Sequence, residues 1–277
     1  MRKIIVSISL ILFIFTSCEK NDENSNVIDF QSSTLVRQIQ DVDGSEDFME
    51  VFTYYNTGKI FEHLERYMYR KFLYNDMGLL EKVEIAVSIN PLSCAIVPGT
   101  SMEDGDDPRK APVSQYLEFD YDEENKLIQK TARYIYADID QIMYYEQMVY
   151  DGDLILRRNT YNINDELTQF KIYGYDDRGN LIKEESYYNY FEEPEWYLSD
   201  SVVYECDTMP NPLNVFSPLC EPGEYTNPNN ILKKKFYNLD NNGFMTFSHS
   251  FDYTFKYKSN GYPESVNNLI FVYGNDQ

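Results

Sequence analysis

The chain is short of the residues from which most reactive centres are built. Its 277 residues include 4 Cys, 1 Trp and 2 His, and 24 Lys+Arg stand against 46 Asp+Glu. No Cys-x-x-Cys and no paired-His spacing occurs, so no zinc-ligand pattern is present and no metal is expected. No Gly-rich phosphate cradle follows a strand-like segment, and no cofactor is expected. With a formal net charge of −22, the surface would repel phosphate, which excludes nucleic acid as a partner. His249 lies between Ser248 and Ser250, but neighbours on a strand point to opposite faces, which argues against a proton relay.

Aromatics and acids are abundant instead. The 26 Tyr and 17 Phe supply more core than an acidic disordered chain would have. Met1-Arg2-Lys3 is a basic start, and Ile4 to Phe15 is an apolar run shorter than the roughly 20 residues a spanning helix needs. Residues 1–17 therefore read as an export signal. Phe15-Thr16-Ser17-Cys18 resembles the lipobox of bacterial lipoproteins, with Phe15 where Leu is usual. The resemblance implies that Cys18 becomes the lipidated first residue and that the chain partners a membrane through that anchor. Residues 18–28 form a polar, acidic tether. The run Glu19-Lys20-Asn21-Asp22-Glu23-Asn24 is similar to the acidic surface-export signal of Bacteroidota lipoproteins. That likeness implies an outer-membrane protein facing the cell exterior, with a plain linker on the periplasmic face as the alternative. Without residues 1–17 the chain keeps 22 basic residues against 46 acids, a balance of −24.

A repeated unit organises the remainder, residues 29–277. A tyrosine opens a polar turn and an apolar residue resumes about six positions later, as in Tyr74 to Leu80, Tyr121 to Leu127, Tyr161 to Leu167 and Tyr175 to Leu181. Looser copies run from Tyr55 to Ile60, Tyr150 to Leu154, Tyr237 to Phe244 and Tyr257 to Tyr262. Asp and Asn provide side-chain turn bonds, and Gly provides the positive φ that closes a hairpin. Between turns the pattern alternates: Phe251, Tyr253, Phe255 and Tyr257 face one way, and Asp252, Thr254, Lys256 and Lys258 the other. Phe61 to Phe72 has the only helix-like spacing and fits an extended strand equally, which is the reading preferred. The fold expected is all-β: one extended, twisted antiparallel sheet of repeated hairpins, curling toward a partly closed barrel or shell.

Tyr175-Asp176-x-x-Gly179-Asn180-Leu181 resembles the YD-repeat unit of large bacterial surface proteins. Together with the lipobox, the looser copies resemble Tyr-rich Bacteroidota lipoproteins of unassigned function. The resemblance implies a continuous antiparallel sheet and carries no catalytic residues.

Two Pro-rich insertions, 88–114 and 206–230, interrupt the pattern and are expected to be surface loops, where binding sites commonly sit. Cys206 and Cys220 bracket the second and fit a disulfide stapling it, with separate buried thiols as the alternative. Glu195, Trp196 and Tyr197 combine acid with aromatic surface, the chemistry that holds a sugar ring; the competing reading is a hairpin tip whose Trp covers the sheet. Three functions follow as expectations. The first is a non-enzymatic surface lipoprotein presenting sheet and loops to a glycan or protein. The second is a glycan hydrolase using a carboxylate pair, which needs two acids roughly 5–9.5 Å apart across a cleft. The third is an envelope scaffold.

Overall fold

A computed structural model describes residues 34–41, 49–65, 67–87, 108–136, 139–189, 195–240 and 243–274. The signal, Cys18, the tether and Cys94 lie outside these residues. The strands are β1 (Val36–Asp41), β2 (Met49–Tyr54), β3 (Ile60–Leu64), β4 (Met68–Tyr74), β5 (Leu80–Val87) and β6 (Val113–Tyr121). They continue as β7 (Leu127–Tyr136), β8 (Ile139–Asp151), β9 (Leu154–Tyr161), β10 (Leu167–Tyr175), β11 (Leu181–Tyr188) and β12 (Tyr197–Pro210). The last are β13 (Asn229–Leu239), β14 (Met245–Asp252), β15 (Phe255–Tyr257), β16 (Pro263–Val266) and β17 (Leu269–Tyr273). All 17 belong to one sheet whose strand pairs are antiparallel. The all-β expectation holds, and Phe61 to Phe72 is the hairpin β3–β4.

Each strand pairs with its neighbours in sequence except at β14 and β15, where β14 pairs with β13 and β15 with β16, and β1 pairs with both β2 and β17. The order therefore runs from β15 through β17, β1 and β2 to β14. Its two end strands are separated in the chain by Tyr253 and Thr254 alone. Tyr253 N donates to Leu232 O at 2.8 Å, and Asn267 N donates to Thr254 O at 2.9 Å, tying that short link to both walls. A sheet whose ends are joined by two residues has to curl back on itself. The result is a shell whose seam is spanned by the chain and not by a ladder.

Alternating strand direction gives the shell two rims of different character. On one rim lie the tight turns 55–59, 75–79, 122–126, 176–180 and 258–262, each with its first N–H bonded to the carbonyl four residues on at 2.9 Å. Gly58, Gly78, Asn125, Gly179 and Gly261 occupy the left-handed position in these turns, with φ of 78°, 75°, 64°, 83° and 84°. β1 begins and β17 ends on the same rim, Val36 opposite Tyr273. Tyrosines stitch this rim together hairpin to hairpin. Tyr121 donates to Leu80 O at 2.9 Å, Tyr150 to Leu127 O at 2.9 Å and Tyr175 to Ile155 O at 2.8 Å. The opening Tyr of one unit thus bonds the backbone at or beside the resuming apolar residue of an earlier one. Ile60, Leu80, Leu127 and Leu181, the resuming residues, are at most 2% exposed and point into a single core. The copy Tyr161 to Leu167 forms the same turn on the opposite rim, and Leu167 stays only half-buried. The opposite rim is the shell's mouth.

The shell is not hollow. Its core runs through residues from β1 to β11, β16 and β17, and includes Phe216 and Leu219 from the segment between β12 and β13. The expectation of a surface loop at 206–230 is therefore corrected. Residues 206–210 finish β12, 229–230 begin β13, and the stretch between them folds inward as a plug. Pro212 and Pro218 are compatible with this because they sit in a 3-10 helix, Pro212–Leu219, and Pro222 and Pro228 follow it in turns before β13, where no ladder bond is needed. Of the other insertion, 108–110 form one 3-10 turn with Pro108 buried and 113–114 start β6, while 88–107 lie outside the described residues.

Candidate functional site

The plug is held by asparagines. Asn211 caps the 3-10 helix, its Oδ1 accepting Leu213 N at 3.0 Å while its Nδ2 donates to Glu224 O at 2.7 Å and Asn227 O at 3.0 Å. Asn227, fully buried, accepts Leu181 N at 2.7 Å. Asn180, also fully buried, donates to Asn229 Oδ1 at 3.1 Å and accepts Asn229 N at 3.1 Å. Asn230 reaches both oxygens of Asp207, at 3.1 and 3.2 Å. The one near-consensus turn in the chain is thus the turn that clamps the plug. Asp176 holds Asn180 N at 2.8 Å and Asn180 Nδ2 at 3.1 Å, aiming that amide inward.

Phe216 is the plug's innermost group. It meets Phe52 at 5.6 Å, His63 at 5.2 Å, Phe72 at 5.9 Å and Tyr225 at 5.0 Å between ring centroids. His63, 2% exposed, stacks on Phe52 at 4.7 Å. An arginine only donates, so the 2.9 Å contact from Arg70 Nη1 makes His63 Nδ1 the acceptor. Nε2 therefore carries the proton and donates to Glu50 at 2.9 Å. No nucleophile is in this set of contacts.

An ionic cluster, buried at Lys130, Glu146 and Arg158 and half-exposed at Glu221, sits where the plug meets β7, β8 and β9. Lys130 Nζ lies 2.8 Å from Glu146 and 2.8 Å from Glu221, and Arg158 Nε lies 3.4 Å from Glu146. Burial alone would push the Glu221 carboxyl up, but Lys130, with Arg158 beyond it, holds it below its ordinary value. Burial would lower the Lys130 ammonium, and Glu146 and Glu221 together raise it. Lys171 Nζ bonds Glu184 at 2.6 Å on the neighbouring pair of strands. Among these groups the Tyr173 hydroxyl is buried and has no hydrogen-bond partner.

Two cavities flank the plug. The larger, about 510 Å³, is lined by Met68, Val87, Gln115 and Met143 near the mouth and has Phe216, Leu219, Glu221 and Tyr225 as its floor. That volume falls in the range of small-molecule sites. The smaller, about 170 Å³, lies between the plug and the seam strands and is walled by Ile39, Leu213, Phe255, Val266 and Phe271. Phe216 and Tyr225 line both and so divide them.

The residues singled out in the sequence lie elsewhere. Trp196 packs on Phe170 at 5.0 Å, Tyr187 stacks on the same ring at 4.6 Å, and the Arg157 guanidinium sits 3.8 Å over it. Phe170 lies on the face opposite Tyr173, outside the shell, yet is 7% exposed because these three cover it. Trp196 is half-buried, Tyr197 pairs with Tyr188 across β11 and β12, and Glu195 is exposed beside them. Cys206 and Cys220 are free thiols, so the stapling disulfide is corrected. Asn227 Nδ2 holds the Cys206 sulfur at 3.4 Å, while Cys220 packs in the core cluster by Tyr121 and Tyr150. Burial pushes each thiol up to about 11, which keeps it protonated and unreactive at neutral pH. A register shift in β14 gives Ser248 an unpaired place, and its Oγ comes within 3.0 Å of His249 Nδ1. This corrects the expectation that the two side chains point apart; both are exposed, and no acid is bonded to the ring in the contacts described. Among the described residues no cluster of metal-ligating side chains occurs. The plug and its ionic cluster were missed by sequence reasoning. Their available signal was the apolar triplet Leu213, Phe216 and Leu219, flanked by Asn211, Asn214, Asn227, Asn229 and Asn230.

No protein-family model matches the chain, and no curated protein matches it. Among solved structures, a porin-like protein from Bacteroides vulgatus is similar with 14% identity, over 87% of this chain and 98% of that one, at a TM-score of 0.48. A porin-like protein from Bacteroides uniformis is similar with 11% identity over the same shares, 87% and 98%, at 0.39. The TcdB2–TccC3 structure matches 81% of this chain with 10% of its own length, at 11% identity and 0.29. At these scores the likenesses carry no inference about function.

Proposed function

We propose that this chain is an envelope lipoprotein, anchored through Cys18 to the outer membrane, that binds a glycan or protein ligand at the mouth of its shell and catalyses no reaction. The observation that carries this reading is the cavity of about 510 Å³ opening on the rim opposite the shell's two chain ends. A tether joined at Val36 leaves from the tight-turn rim, so the mouth points away from the anchor. The plug closes the interior behind that cavity and gives it a rigid floor, which lowers the ordering cost of binding. The hydrolase alternative has less support. A glycosidase acid needs a raised carboxyl, whereas Lys130 holds the Glu221 carboxyl low.

The test is a glycan and protein array probed with the mature chain. Binding lost in Met143→Asp and kept in Trp196→Ala supports the mouth. Binding lost only in Trp196→Ala moves the contact to the outer face, to Glu195, Trp196 and Tyr197. Exposure of the protein to protease on intact cells, and its release from membranes by Cys18→Ala, test location and anchor; protection from protease would leave the periplasmic face.

A further inference from the structure

The cavity at the mouth is apolar on both wall and floor. Val83 and Ile85 of β5, Leu117 of β6 and Ala132 of β7 form the wall, above Phe216 and Leu219 of the plug. The strand registers carry that wall on toward the rim. Val87 follows Val83 and Ile85 on the inner face of β5, and Tyr134 follows Ala132 on β7. Ile139, opposite Tyr136, continues the same face onto β8. Val87, Met143 and Ile139 are 45%, 48% and 56% exposed, so aliphatic surface runs from the cavity out to solvent.

The charged groups on the lining are paired within the chain. Arg70 bonds Glu65 and His63, Arg133 bonds Asp140 at 3.0 Å, and Glu221 bonds Lys130 at 2.8 Å. Gln115, beside Ile85 of β5 and Tyr134 of β7, has no side-chain bond among the described residues. A bare sugar ring would set hydroxyls against the aliphatic wall, each without a partner there. A single apolar residue of a protein is smaller than about 510 Å³ and would leave voids beside it. A flexible aliphatic chain has neither defect. Met68 and Met143, unbranched and polarizable, can adapt to its course.

We propose that the cavity takes a single acyl chain joined to an uncharged polar head, so that the ligand at the mouth is recognised through an acyl chain that it carries. This rests on the mouth being the binding site and names what enters it. The head stays at the mouth, where Gln115 offers its amide to an ester, amide or hydroxyl. An anionic head is disfavoured by the Glu221 carboxylate, half-exposed on the floor, and by the net charge of −22.

The probes are monoacylglycerols with chains of roughly 6 to 12 carbons, for which affinity is expected to rise about fourfold per added methylene. With labelled methionine methyls in the mature chain, the NMR signals of Met68 and Met143 are expected to shift during the titration. That of Met77, 72% exposed on the far rim, is expected to stay in place. The ionised fatty acid of equal length is expected to bind more weakly. Ala132→Phe, which narrows the cavity, is expected to remove the dependence on chain length while keeping the β-sheet signal. In the unaltered chain, affinity independent of chain length, or Met77 shifting as far as Met68 and Met143, would overturn the proposal. So would a fatty acid that binds as tightly as the monoacylglycerol. A glycan or protein without an acyl chain, lost in Met143→Asp while monoacylglycerols leave Met68 and Met143 unmoved, would overturn the acyl chain and keep the mouth site. Array binding lost only in Trp196→Ala, with those methyls likewise unmoved, would remove the site itself.

Discussion

At the scale of single residues, Lys130 is the most consequential side chain because two carboxylates share it. Replacing it with Met leaves Glu146 and Glu221 without their common cation. Glu146 keeps Arg158 at 3.4 Å and the Glu221 side chain is 44% exposed, so we expect a loss of about 1–3 kcal/mol, read as a lowered denaturant midpoint. Tyr173→Phe is expected to behave oppositely. Its hydroxyl is buried without a partner, so removing it should leave stability unchanged or raise it. The same cluster sets an acid limit. The Glu221 carboxyl is held below its ordinary 4.5, so its contribution is complete above that value and is lost as pH falls through the folded value. Denaturation midpoints measured from neutral to acid pH should fall, and Glu221→Gln should flatten that limb.

At the scale of elements, one turn geometry serves two purposes. The turn 175–181 and the turn 161–167 have matching backbone bonds, yet Asn180 is buried against the plug while Glu166, at the equivalent place, is exposed. Asn180→Ala is expected to cost about 1–3 kcal/mol through the unpaired groups it leaves. Glu166→Ala should stay within about 0.5 kcal/mol. Thermal or denaturant unfolding of the two variants side by side checks this; equal effects would mean that the clamp on the plug has no energetic weight.

The hairpins were legible in the sequence because their signals are local. Tyr121, Leu127, Tyr175 and Leu181 mark turn and core within seven residues of each other. The plug was not legible because what buries it is distant. Asn227 becomes an interior residue only through Leu181, 46 positions away, and Glu221 finds its cation only in Lys130, 91 positions away. Pro210, Pro212, Pro218, Pro222 and Pro228 argued for a surface loop, but Pro210 ends β12, Pro212 and Pro218 fit a 3-10 helix indoors, and Pro222 and Pro228 sit in the turns that lead to β13. Trp196 illustrates a choice that spacing alone left open: its covering role depends on Phe170, on a different hairpin.

For the whole molecule, the abundance of tyrosine makes an alkaline limit. Tyr54, Tyr121, Tyr150, Tyr173, Tyr175 and Tyr204 are all raised above their ordinary 10.0, in each case chiefly by burial. Raised groups add stability that is complete below pH 10.0 and is lost as pH rises through the folded values, because the unfolded phenols ionise first. Phenolate absorbance should therefore rise in two stages, exposed tyrosines first and the buried set only together with loss of the β-sheet signal. A single stage preceding unfolding would contradict the interior placement of the tyrosine ladder.

The central claim is that residues 211–228 form the filled interior of the shell and not a loop upon it. Amide hydrogen exchange measured residue by residue tests it most directly. The amides of Leu181, Cys220 and Asn227, bonded at 2.7, 2.9 and 2.8 Å to partners in or from the plug, should exchange as slowly as the central strands. Exchange at these three positions as fast as in the exposed turn 162–166 would contradict it.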